Sequence, residues 1–471
     1  MAKDLRTFLV DLEKEGLLLK VKKPVDVDTQ SGAVNWQAVT QYKKAVICEN
    51  LAGFPGWRSF SGIMGTREIA AVALGTTVKD MTRHLAGKFR EGNFSQCRMV
   101  ESGPVHEVVQ TGEQVNLWDL PFHVVWEGDA GRYMGSGFLV CRDPETGIRN
   151  LAVLRHQLKD KNKLGVMMVA GRHAWRIYQK YRARGQAMPV AIVNGHHGAT
   201  VMASTWTTAF GVDEYEIANM LLGDPLDLVK CRTVDLEVPA DAEVVIEGFI
   251  PPDVVEDEGP FGEHTGCTIA GAGLNPIINV TAVTRRSDAI FLQITEGPLT
   301  DGAVLDALPM EVQLFNRLKD VGGGIDLHRV VVHECAGGGH LVVIQMTPTV
   351  DGEVRAVLMA ALSSEYLHPK IAIAVDDDVD PYQPSEVLWS MSTKVNPVQD
   401  VTIIPGTRGH SLDGSLPAIS PPGVNPVIRV GSRMGIDATK PPLYRMSDRE
   451  QLARLRPKGF AEVDLSKFLG E

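Results

Sequence analysis

The sequence suggests no cysteine-based zinc cluster, disulfide framework or membrane anchor. Its six cysteines (Cys48, Cys97, Cys141, Cys231, Cys267 and Cys335) are scattered, with no CxxC pair, which removes zinc-finger and disulfide-stapled classes. No run of about 18 apolar residues occurs, and the opening stretch MAKDLRTFLVDLEKEG lacks an apolar signal core. Basic residues are the minority: 47 Lys and Arg against 58 Asp and Glu leave a formal net charge of −11. That balance argues against broad binding to nucleic acid or anionic membranes. The Gly-rich pieces VGGGID and CAGGGH lack a P-loop lysine and the full dinucleotide fingerprint. DDDVDP lacks the glycine and terminal glutamate of an EF-hand, and the adjacent histidines of GHHG cannot both point one way from a strand. All four pieces are read as loops. What remains is a chain of 471 residues, 44% hydrophobic and 22% charged. It has room for two or three domains, and its expected setting is the cytoplasm, with reduced thiols.

The chain opens on an amphipathic helix, with Leu5, Phe8, Leu9 and Leu12 at helical spacing, Asp4 as cap and Gly16 as stop. A second helical stretch is expected over residues 67–90. From residue 105 short β-rich runs such as GSGFLVCRD, NLAVLRHQ, KLGVMMVAG and AEVVIEGFI follow one another, broken by Gly, Pro and Asp. HAWRIYQKYRARG and DEYEIANMLLG are the clearest helices among them. That rhythm suits an antiparallel barrel or sandwich. After residue 303 helices and strands alternate, beginning with MEVQLFNRLKDV, and the Pro-rich SPPGVNPVIRVGSRMGIDATKPP reads as an extended arm.

EDEGPFGEHTG, residues 256–266, sets Glu256, Asp257, Glu258 and Glu263 around a stiff GPFG turn. Crowded, buried carboxylates have raised pKa values, and a carboxyl that keeps its proton near neutrality is a general acid. A solvated acidic loop would carry the same turn residues. NLAVLRHQ offers Asn150 and Arg155, an odd number of residues apart and so on opposite faces of a regular strand. His173 stands at the mouth of one helix, and Glu214 lies in the first turn of another, where acidic residues are favoured anyway.

In order along the chain, DLRTFLVDLEKEG, N-x4-R, DKNKLGV, KCRTVDLEVPADAEVVIEG, EGPFGEHTG and DDDVDPYQPSEVLWSMSTKVNP resemble the UbiD family of reversible aromatic-acid decarboxylases. The resemblance implies an α+β chain. Its parts would be an N-terminal α/β segment (1–105), a central split β-barrel flavin-binding domain (106–302), a C-terminal α/β domain (303–445) and a tail helix (446–471). It implies prenylated FMN, supplied by a flavin prenyltransferase, with Arg155, Glu258 and Glu263 around the reactive part of the cofactor. Glu263 would donate the proton to the carbon that loses carbon dioxide, and Glu258 would orient Arg155. Asn150, His173 and Glu214 would hold manganese or magnesium at the cofactor phosphate, with potassium beside Met202 to Trp206. Val153, Leu154, Met167, Met168, Val169, Arg172 and Lys370 would touch the cofactor, and His410 and Ser411 would sit on a substrate loop.

The segment QITEGPLTDGAVLDALP contains no Lys, Arg or His. If it lines the pocket, the expected substrate is a small aromatic or heteroaromatic monocarboxylic acid. A homodimer or larger homo-oligomer is also implied. Two other classes stay open: an FMN-dependent oxidoreductase, for which no nicotinamide fingerprint is present, and a non-catalytic partner subunit of another decarboxylase. The intact set of Arg155, Glu258 and Glu263 speaks against the latter.

Overall fold

The computed structural model describes residues 3–92, 94–269, 271–419, 428–460 and 462–469. The first helix, Leu5–Lys14, starts as its sequence dictates: the Thr7 backbone N–H donates to the Asp4 carboxylate (2.9 Å) and the Asp4 N–H to the Thr7 hydroxyl (3.0 Å). Its apolar stripe of Leu5, Phe8, Leu9 and Leu12 is buried, and Gly16 leaves at φ +67°. The stretch expected as one helix over 67–90 is two, Arg67–Leu74 and Met81–Glu91, because Gly75 takes the left-handed conformation (φ +63°) and ends the first.

The N-terminal sheet has four strands, Leu18–Val21, Ala45–Cys48, Arg58–Ser61 and Ile290–Leu292. The last comes from far along the chain and pairs parallel to Arg58–Ser61. The sheet therefore crosses the boundary drawn at residue 105. The central sheet has ten strands, almost all of them in one antiparallel path from Tyr133–Met134 to Arg149–Val153. Gly273–Arg285 is its long member and carries both Val255–Glu258 and Val108–Thr111 as side branches. No pairing among the described strands joins the two ends of the path. Among the described residues the closure of a split barrel is therefore not seen.

The C-terminal sheet runs Asp326–Val332, Leu341–Thr347, Ile371–Val375, Arg429–Ala438, Val401–Gly409. The segment expected as an extended arm supplies Arg429–Ala438, parallel to Ile371–Val375 and antiparallel to Val401–Gly409. Its prolines flank the strand and do not interrupt it. Gly431 and Gly435 let Leu416 and Leu358 pack directly on the backbone: a Cβ on Gly431 would stand 2.3 Å from Leu416. Residues 420–427 of the same stretch lie outside the described residues. The helix expected from Met310 begins nine residues earlier, at Asp301, and runs to Leu318 through Pro309. The buried Asp301 carboxylate accepts the Met64 N–H (3.0 Å) and ties that helix start to the N-terminal region. In the tail, Met446–Gln451 is helical and Leu465–Lys467 forms a single 3-10 turn. No described helix is long and apolar enough to cross a membrane.

Candidate active site

The strand Arg149–Val153 ends at a corner, and His156–Asp160 begins the next strand. Arg155 stands in that corner. It is thereby freed from the alternation that would have set it opposite Asn150, and both residues line one cavity of about 310 Å³. Arg155 Nε and Nη2 donate to the two oxygens of Glu258 (2.9 and 2.8 Å), and Nη1 donates to Glu263 (2.5 Å). Asn275 Nδ2 donates to the same Glu258 carboxylate (3.2 Å). The Arg155 and Glu263 side chains are each 7% exposed and that of Glu258 is 0%. The two-pronged clamp fixes the guanidinium plane, which also lies over the Phe261 ring at 5.1 Å. Burial raises the Glu263 carboxyl above the usual carboxylate range, against the pull of Arg155 and His264.

The GPFG turn holds this arrangement through its backbone. Gly259 takes φ +89°, and a Cβ there would lie 2.4 Å from the Gly271 carbonyl oxygen; one on Gly262 would meet Trp126 at 2.0 Å. The Gly259 N–H donates to the Tyr133 hydroxyl (3.1 Å) and the Gly262 N–H to Asp129 (2.9 Å). Phe261, buried against Tyr133 with ring centroids 4.6 Å apart, anchors the turn between the two glutamates.

Asn150, His173 and Glu214 also line the cavity. Glu214 is brought in by the helix Glu214–Leu222, capped by Asp213, and accepts the Leu151 N–H (2.7 Å). Burial pushes its carboxyl up to about 8. Burial, then Arg176 and Arg172, lower the pKa of His173, so it presents a neutral imidazole. The buried Asn150 Nδ2 finds no hydrogen-bond partner among the described residues. An amide, an imidazole and a dry carboxylate form a donor set that fits a hard divalent cation. Val153, Leu154, Met167, Met168, Val169 and Arg172 line the same cavity, as do Ser204, Thr205 and Trp206. This mixture of apolar wall and fixed cations fits a flavin ring with its phosphate.

Two expected site residues lie elsewhere. Lys370 is absent from the cavity lining: its ammonium pairs with Asp413 (3.1 Å) and the Ser415 hydroxyl, so it is taken up by the loop that follows residue 409. Ser411 also stands outside, its carbonyl accepting Arg429 Nε (2.8 Å), whereas its neighbour His410 lines the cavity. The structure adds residues that sequence reasoning missed: His264, Glu296, Asp306, Tyr366 and His368. Each is a lone polar residue in a loop or helix turn with no spacing pattern, and only the fold brings them together. Glu296 and Asp306 come from the segment without basic residues. Burial raises both carboxyls, with mutual repulsion adding to Glu296.

Three family models cover the chain. The 3-octaprenyl-4-hydroxybenzoate carboxy-lyase N-terminal domain matches residues 9–89, the Rift-related domain 98–299 and the C-terminal domain 303–438. A phenolic acid decarboxylase of Bacillus subtilis (strain 168) is 32% identical over 452 residues, 93% of this chain and 92% of that one. The UbiD-class enzyme HmfF from Pelotomaculum thermopropionicum, solved in complex with FMN, superposes with a TM-score of 0.88 at 32% identity, covering 99% of this chain and 100% of the other. A 3,4-dihydroxybenzoic acid decarboxylase from Enterobacter cloacae gives 0.87 at 26% identity, with 99% of both chains covered. The cavity with its buried arginine and two glutamates thus lies within a chain matched almost end to end, and the chain belongs to the UbiD family of carboxy-lyases.

Proposed function

We propose that this chain carries out the reversible, non-oxidative decarboxylation of an aromatic or heteroaromatic monocarboxylic acid with prenylated FMN held in the cavity. One observation carries the reading: Arg155 is buried between two glutamates, of which Glu263 faces the cavity and Glu258 stands behind. The relatives support it, being decarboxylases of phenolic and dihydroxybenzoic acids; an evolved dimeric form of HmfF is known in complex with prFMN.

Bound prenylated FMN supplies an electron sink for the pair left behind when carbon dioxide departs. The chain's own residues do the rest. Glu258 grips Arg155 through Nε and Nη2 and keeps it aimed at the cavity. Glu263 holds a proton in a dry setting and delivers it to the substrate carbon that has lost its carboxylate. Phe261 and the GPFG backbone keep that carboxyl still, and a well-placed acid gains more from position than from strength. Asn150, His173 and Glu214 would hold manganese or magnesium at the cofactor phosphate, with potassium beside Met202 to Trp206. Arg172, Val153, Leu154, Met167, Met168 and Val169 would wall the cofactor, and the central antiparallel sheet would serve as the family's split-barrel flavin domain. A flavin prenyltransferase would supply the cofactor to a cytoplasmic homodimer or larger homo-oligomer.

Glu296 and Asp306 set the substrate class. A second carboxylate on the ring would lie against two carboxyl groups, so a monoacid is favoured. Glu263→Gln, co-produced with a flavin prenyltransferase, should lose turnover by about 10²–10⁴-fold while a native mass spectrum still reports bound prenylated FMN. Full activity of that variant would overturn the proton-donor assignment. Plain FMN or no flavin in the wild-type chain, after verified prenyltransferase activity, would overturn the cofactor reading. A panel in which only diacids react would overturn the substrate class.

A further inference from the structure

The cavity is also lined by three histidines from three separate loops: His264 just after the GPFG turn, His368 before the strand Ile371–Val375, and His410 after Val401–Gly409. One ligand nitrogen of each lies within 4.8 Å of the others. His368 and His410 stack with ring centroids 4.0 Å apart, and His264 lies 5.9 and 5.6 Å from them. His264 Nε2 and His368 Nδ1 are buried and find no hydrogen-bond partner among the described residues. An unpaired imidazole nitrogen in a dry wall is costly unless something binds it.

We propose that His264, His368 and His410 form a second metal site, distinct from Asn150, His173 and Glu214, for a nitrogen-preferring divalent cation of the zinc class. Three imidazoles and one open position are a common ligand set for such an ion, and all three rings line the cavity. Asp306 stands 3.8 Å from His264 Nδ1. Closing that gap to a hydrogen bond would fix the tautomer that leaves Nε2 free as a ligand. The glycines of CAGGGH make room for the cluster: a Cβ on Gly338 would stand 2.1 Å from the His264 ring, and one on Gly339 would stand 3.1 Å from His368. The nearby His340 is directed elsewhere, with Nδ1 on the Gly337 carbonyl and Nε2 toward Asp413 (3.9 Å). His410 Nδ1 accepts a long bond from the Leu412 N–H (3.3 Å), so ligation by His410 exchanges that weak contact for the ion.

A four-coordinate zinc sets its nitrogens about 3.4 Å apart, given bonds of about 2.0–2.1 Å. Nitrogens that lie within 4.8 Å of one another reach that spacing with small movements. His264 belongs to the central region, whereas His368 and His410 belong to the C-terminal one, so the ion would tie the two together across the cavity. Such an ion would clamp the C-terminal wall and offer its open position to water or to an oxygen substituent of the substrate.

The test is a cobalt(II) titration of the full chain after chelator dialysis, with zinc as competitor. The expected result is one equivalent with the intense visible bands of a four-coordinate ion, displaced by zinc, absent in His368→Ala and retained in Asn150→Ala. No such bands, or bands unchanged in His368→Ala, would overturn the proposal. Asp306→Asn guards against a misfolded His368 variant: with the fold retained by circular dichroism, zinc affinity should fall by about 10–100-fold. An unchanged affinity in that variant would also overturn it.

Discussion

Two buried charge networks in this chain differ in one respect that separates chemistry from scaffolding. In the C-terminal domain Asp376, Asp377 and Asp378 meet Lys440, whose ammonium lies 3.5, 3.1 and 3.2 Å from them. Arg449 pairs with Asp376, and Lys394 reaches Asp378 at 3.4 Å. Each aspartate has cations at hand, and the hydrogen bond from Asp376 together with Lys440 holds Asp377 below the usual carboxylate range. The knot ties the tail to the sheet and borders none of the cavity. Around Arg155 the balance is reversed. One guanidinium serves Glu258 and Glu263, with Glu296 and Asp306 facing the same cavity. Burial raises the carboxyls of Glu263, Glu296 and Asp306 above the usual carboxylate range, which a structural knot has no use for.

The comparison can be broken at several points. The largest effect expected is on turnover: Glu263→Gln removes the proposed proton donor and should cost about 10²–10⁴-fold in kcat, with little change in the urea midpoint. The opposite pattern should follow Asp376→Ala. It takes from Arg449, 7% exposed, its nearest carboxylate, while Lys440 keeps Asp377 and Asp378, and should cost about 3–5 kcal/mol of stability by urea unfolding, with turnover per folded molecule preserved. If Asp376→Ala abolished catalysis in a folded protein, the knot would not be mere scaffolding. Gly262→Ala falls between the two. Its Cβ would press into Trp126, costing about 1–3 kcal/mol, and the displaced Glu263 should lower kcat more than it changes KM. The smallest effect sharpens the baseline: Asp4→Ala removes a helix cap for about 1 kcal/mol and should leave steady-state kinetics untouched.

The first helix, the GPFG turn and the strand-rich middle were legible because their information is local. A capping residue, an apolar stripe at helical spacing and a Gly-Pro turn act within one or two turns of chain. Pro309 inside the helix Asp301–Leu318 hid that helix's start, and the prolines around Arg429–Ala438 hid a strand, because both elements are held by distant partners that override local preference. Lys370 illustrates the limit for single residues. Its type suits a phosphate, but Asp413 lies within reach in the fold and takes its charge.

By itself the sequence determined the family, through ordered motifs spread from end to end, and with it Arg155, Glu258 and Glu263 as residues to watch. Only the tertiary structure decided that Asn150 and Arg155 face one cavity, since the corner after Val153 cancels strand alternation. It alone brought His264, His368 and His410 together from loops about forty to one hundred and fifty residues apart. The physical reason is the same in both cases. A motif records constraints between neighbours along the chain, whereas a wall of a cavity is made by surfaces that meet only after the sheets have packed.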